Sequence, residues 1–128
     1  MKTAFAAFAL LSLTACAADG PAAAPPAAFD ASATEFTGWV RVVGEEFRLY
    51  ANETDLRTPS QRCVSGALPR DLQRASGDLS GQRVRFTGRT LAWSAHGEGP
   101  RYDWRGSKIE NLCGRSFVIL ADGVTVTG

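Results

Sequence analysis

The chain has 128 residues, of which 45% are hydrophobic and 21% charged, and its 14 Lys/Arg, 13 Asp/Glu and single His give a formal net charge of +1. A length of this order holds one modest core and not two. Charge so close to balance creates no field of one sign to draw in nucleic acid or anionic lipid, and the excess of Arg over Lys carries no phosphate-binding argument by itself.

Lys2 precedes an apolar run from Ala4 to Leu13, interrupted only by Ser12, and the run ends in Leu13, Thr14, Ala15 and Cys16. It is too short for a transmembrane helix, which takes about 20 residues, and has the size of a signal h-region. The aliphatic residue at minus three, the small residues at minus two and minus one and the Cys itself resemble the lipobox of bacterial lipoproteins. That resemblance implies that residues 1–15 are a signal peptide and that the Cys16 thiol carries a diacylglycerol. It also implies that acyl chains, each buried methylene adding about 0.8 kcal/mol of membrane affinity, hold the protein in the envelope. Ala17, in place of the Asp of inner-membrane retention, implies the outer membrane, facing the periplasm. The alternative is an ordinary secretory peptide in which Cys16 is incidental.

Residues 16–34 follow as the lipidated Cys and an Ala/Pro tether. Pro21, Pro25 and Pro26 favour extended backbone, at about 3.1 Å per residue, over helix. The domain proper is expected over 35–128.

With Cys16 assigned to lipid, Cys63 and Cys113 form an even pair in an exported chain, and a disulfide between them is predicted. A redox pair or half of a metal site is the alternative. The chain has no Cys-x-x-Cys, however, and only His96 to complete a zinc shell. No metal and no cofactor are expected.

Within the domain the hydrophobic period is mostly two. Phe36 to Val43, a reversal at Gly44-Glu45-Glu46, and Phe47 to Ala51 read as a first hairpin. A short strand is expected around Cys63 to Gly66. Pro69 to Leu79 reads as one helix, with Pro69 at its start and Leu68, Leu72, Ala75 and Leu79 as an apolar stripe. Arg83 to Trp93 is a long strand in which Val84 and Phe86 face inward until Gly88 and Leu91 and Trp93 carry the apolar side after it, a change of parity expected of a bulge or a sharp coil. Ser116 to Thr127 is a nearly continuous apolar run that Asp122-Gly123 breaks as a turn pair. This order, with a helix before the fourth strand, resembles a small OB-like five-stranded barrel, mainly β with one short helix. A small α+β sheet or sandwich is the alternative.

No catalytic motif stands out, and no enzyme is expected. Glu45 and Glu46 are neighbours whose carboxylates point apart in a solvated turn. His96 lies in a glycine-flanked loop. Two groups remain as candidate ligand-binding residues. Arg101, Tyr102, Trp104 and Arg105 combine rings with forked hydrogen-bond donors, as recognition surfaces do, at the place where OB-like barrels use the loop between strands four and five. The other reading packs Tyr102 and Trp104 inward and leaves Arg101, Asp103 and Arg105 wet. Arg83, Arg85 and Arg89 share one parity and suit an anionic glycan or lipid phosphate, or serve as a solvated strand face.

Three functions follow. The first is a non-enzymatic, membrane-anchored structural, accessory or protein-binding module, with an envelope protein or glycan as partner. The second is a binding module for an anionic saccharide or lipid head group. The third is a hydrolase or redox enzyme, whose turnover would be lost on His96→Ala. Nucleic acid is not expected as a partner, given the near-balanced charge and the exported location.

Overall fold

Alternation of period two becomes barrel strands in the computed structural model, which describes residues 29–57 and 62–128. The signal-like run, Cys16 and most of the Ala/Pro stretch lie outside the described residues. In chain order the elements are β1 (Glu35–Val43), β2 (Glu46–Tyr50), α1 (Glu53–Arg57), β3 (Cys63–Ala67), α2 (Arg70–Ser76), β4 (Arg83–Ala92), β5 (Tyr102–Trp104), β6 (Ser107–Ile109) and β7 (Phe117–Val126). Five strands close a barrel in the order β1-β2-β3-β7-β4, and β5 pairs with β6 as a separate hairpin. Only β3 with β7 is parallel; every other barrel pair is antiparallel. The protein is thus mainly β, an OB-like barrel with a short helix between β3 and β4.

The hairpin register places Val40 opposite Leu49 and Val42 opposite Phe47, so the even positions of β1 and the odd positions of β2 face the same way, inward. Phe36, Val40, Phe47, Leu49, Val84, Phe86 and Ile119 fill the barrel. Phe47 and Phe86 stack at its centre with ring centroids 4.0 Å apart. Phe29 and Ala33, within the stretch read as tether, also pack against this core.

The expected bulge is present, with its extra residue on the partner strand. Thr87 pairs with Gly123 and Gly88 with Ala121, which leaves Asp122 of β7 over; its carboxylate accepts the Thr87 hydroxyl at 3.0 Å. Gly88 has φ +155°, and a Cβ there would collide with the Leu120 carbonyl. Asp122-Gly123 is therefore not a turn. Val124 and Val126 continue β7 because the first half of β4 offers them partners, Phe86 and Val84.

The helix is shorter than its stripe. Gly77 turns the chain away with φ +69°, its N–H still bonded to the Arg74 carbonyl, and Leu79 reaches the core from the following loop. The single turn of α1 carries no apolar period to announce it; Arg57 reaches back to Glu53 at 3.0 Å. Among the described residues no helix is long and apolar enough to cross a membrane.

Candidate functional site

The connection from β4 to β7 does not hang free as a binding loop; it folds back over the barrel's outer face. The outward residues of β3, Cys63, Ser65 and Ala67, are 2%, 0% and 0% exposed. Three attachments hold the last part of the connection, residues 110–113, to β2 and β3. Cys63 and Cys113 form the disulfide, fifty residues apart in sequence with 5.5 Å between Cα atoms. The Ser65 hydroxyl accepts the Cys113 N–H at 2.9 Å. Glu46, only 2% exposed, is the third: Oε1 accepts the N–H groups of Glu110 (2.6 Å) and Asn111 (3.0 Å), and Oε2 that of Leu112 (2.7 Å). Asn111 takes φ +60°, which turns successive N–H groups toward one anion as a nest does.

The two neighbouring glutamates indeed diverge, but only one sits at a wet turn. Glu45 is exposed and accepts the Lys108 N–H at 2.8 Å, whereas Glu46 is an internal ligand of the connection. Its partners lie 64 to 66 residues away, so no local pattern marks it.

Beneath the hairpin β5–β6 lies a second core outside the barrel, with Ala67, Trp104, Ile109, Val118 and Leu120 buried and Leu91, Trp93 and Tyr102 packed against them. Leu91 stands opposite Val118 and Arg89 opposite Leu120, so β4 keeps its outer parity past Gly88. The apparent change of parity is this second apolar layer. Trp104 is a core residue, 8% exposed, and its Nε1 donates to the Ala121 carbonyl at 2.7 Å.

The guanidinium groups of Arg89 and Arg105 lie 5.5 and 4.9 Å from the centroid of the Trp104 indole, within cation–π range. Arg105 holds φ +49° and Gly106 φ +96° in the two-residue turn of the hairpin, a conformation that Asn-Gly adopts at less cost than Arg-Gly. Arg83 and Arg85 lie farther along the same outer face, where Arg83 donates to the Thr127 hydroxyl at 3.1 Å. Arg101 is drawn off into an ion pair with Glu110 at 3.0 Å. Asp103 accepts Lys108 Nζ at 2.5 Å and the Gly106 N–H at 2.8 Å, the lysine first and then the amide holding its carboxyl below the usual range. The structure therefore gathers Arg89, Trp104 and Arg105, with Arg85 and Arg83 alongside; Tyr102 supports them from the second core.

No family model, curated protein or solved structure matches this chain.

Two further features bear on chemistry. His96 stacks on Trp93, with ring centroids 3.9 Å apart, while Nδ1 faces the Trp93 carbonyl at 2.5 Å and Nε2 the Gly99 carbonyl at 2.8 Å. Carbonyls only accept, so both contacts are met only by the imidazolium. The Gly99 contact first and the Trp93 contact second raise its pKa above the ordinary 6.5. With the folded value raised, the contribution of His96 to this loop is complete below the unfolded value and is lost as pH rises through the folded one. An NMR titration of the ring should give a midpoint above 6.5; a midpoint at or below it contradicts the assigned contacts. No cluster of three His, Cys, Asp or Glu side chains suited to a metal occurs among the described residues.

The other feature is a cleft of about 380 Å³ between α2 and the β1–β2 turn, with Phe47, Leu68 and Leu79 in its floor and Arg70 and Arg74 among its lining. The sequence shows both arginines only as the polar side of a helix. Which surface that side faces depends on how α2 sits against β1 and β2.

Proposed function

We propose that this protein is an envelope lipoprotein, anchored through Cys16 in the outer membrane and facing the periplasm, whose barrel is a non-enzymatic accessory module that docks on an envelope protein. The lipobox-like sequence supports the anchor. The Cys63–Cys113 disulfide supports an oxidising compartment. The accessory role rests on one observation: the β3 face, where OB-like barrels take oligonucleotides and oligosaccharides, is filled by the protein's own connection.

Purification of the acylated protein from detergent-solubilised envelope, beside a Cys16→Ser control, tests this reading. The expected result is outer-membrane fractionation and a co-purifying protein for the wild type, and release into the soluble fraction for the control. A wild type whose Cys16 remains a free thiol would end the lipoprotein reading, and one that retains no partner would end the docking role.

A second reading has its own support, since neither Arg89 nor Arg105 is in an ion pair among the described residues although both lie on Trp104. That pair, with Arg85 beside it, suits the phosphate or carboxylate of an anionic saccharide or lipid head group. Arg89→Gln combined with Arg105→Gln should weaken binding to vesicles rich in anionic lipid at least about tenfold, since the loss of even one charge-assisted hydrogen bond costs about 1.5 to 3 kcal/mol. Unchanged binding in a vesicle co-sedimentation assay would remove this site from consideration.

A further inference from the structure

The cleft beside α2 joins an apolar floor to a cationic rim. Phe47, Leu68 and Leu79 in the floor are 4%, 3% and 5% exposed, so they belong to the barrel core and are rigidly held. The helix α2 has only 7 residues and rests Leu72 on the barrel core, and the cleft lies between it and the β1–β2 turn. Arg70 and Arg74 are four residues apart and therefore on one side of α2. Neither is in an ion pair among the described residues.

The walls are tied together without a ligand. Gln73 donates from Nε2 to the Gly44 carbonyl at 3.3 Å and accepts the Ser107 hydroxyl on Oε1, also at 3.3 Å. The Arg70 N–H donates to the Arg105 carbonyl at 3.1 Å. These bonds link α2 to the β1–β2 turn and to the β5–β6 hairpin, so the opening is built into the fold. The one acid in the lining is Glu45, and its Oε1 is engaged by the Lys108 N–H. Two cations against one carboxylate leave the rim net positive.

We infer that this cleft binds an amphipathic anion, with an alkyl or aryl body on Phe47, Leu68 and Leu79 and a carboxylate or phosphate between Arg70 and Arg74. A volume of about 380 Å³ lies within the range of small-ligand sites, roughly 300 to 1,000 Å³. The ligand's apolar body leaves water against this floor, which supplies affinity, and the two guanidinium groups supply orientation through forked hydrogen bonds. The site stands apart from the anchor and the docking role proposed above, and its occupation requires neither.

The test is calorimetric and NMR titration of the full chain carrying Cys16→Ser with decanoate and with decyl phosphate, below their micelle concentrations. Decanol and decyltrimethylammonium serve as neutral and cationic controls. Both anions should bind saturably at one site and shift the amides of Leu68, Gln73 and Leu79, while the controls bind at least about tenfold more weakly. Arg70→Gln with Arg74→Gln should weaken the anions roughly tenfold; if that double variant melts early, Arg74→Gln alone should still weaken them severalfold. Glu45→Gln should tighten them, because Gln keeps an acceptor for the Lys108 N–H while the negative charge is removed. The inference is overturned if neither anion saturates, if decanol binds equally well, if the shifts fall away from the cleft, or if a folded Arg74→Gln protein binds as the wild type does.

Discussion

Reduction of the Cys63–Cys113 disulfide is expected to lower the stability of the barrel by roughly 4 kcal/mol, the chain-entropy value for a closed loop of this size. The two cysteines are 50 residues apart, and the loop between them includes α2, β4 and the β5–β6 hairpin, all of which must find their places on the barrel. Without the cross-link the unfolded chain regains that freedom, while the folded chain keeps Ser65 and Glu46 as the remaining attachments of residues 110–113. Urea denaturation with and without reductant measures the difference. A loss under about 1 kcal/mol would mean that the unfolded chain is already restricted in other ways.

Glu46→Ala is expected to cost about 3 kcal/mol. The substitution removes the acceptor of three backbone N–H groups at once, and hydrogen bonds to a charged group contribute about 1.5 to 3 kcal/mol apiece. The full sum is not expected, because Glu110 and Leu112 are exposed and water can serve part of the nest. Glu46→Gln should cost about 2 kcal/mol, since its amide turns a donor toward donors. The two perturbations are coupled, as both act on the segment that ends at Cys113, so their costs should not add. In reduced Glu46→Ala protein the connection should lift and the emission of Trp104 should move to the red, a change that neither perturbation alone produces. Additive costs and unchanged fluorescence would show that the cover is held mainly by the second core.

Much of the barrel is legible in local pattern. Phe47 and Leu49 alternate with Arg48 and Tyr50, and the hairpin follows from them. Pro69 stands immediately before α2 as its cap residue rather than in its first turn, and Gly88 marks the bulge, because each has a backbone constraint that acts without distant partners. Asp122-Gly123 misleads for the opposite reason. The pair has the composition of a turn, yet its place opposite Gly88 makes it the surplus residue and its neighbour in a continuous strand.

The site was much less legible. Period two distinguishes a buried face from an exposed one, and both faces of β7 are buried: Phe117, Ile119 and Ala121 toward the barrel, Val118 and Leu120 toward the hairpin. The nearly continuous apolar run of β7 was the visible trace of that double burial, but it does not say what supplies the second layer. Trp104 and its flanking arginines form the same string of letters whether the indole points to water or to Ala121.

The sequence by itself determined the strand period, the chain order of hairpin, helix and long strands, and a pair of cysteines with only each other to join within the domain. These depend on side-chain alternation, backbone constraint and counting. Only the tertiary structure decided that the β4–β7 connection covers β3, that Glu46 rather than Glu45 is buried to hold it, and that Arg70 and Arg74 stand over an apolar cleft. Each of those outcomes depends on groups more than twenty residues apart meeting across the fold, and no local pattern encodes which of them meet.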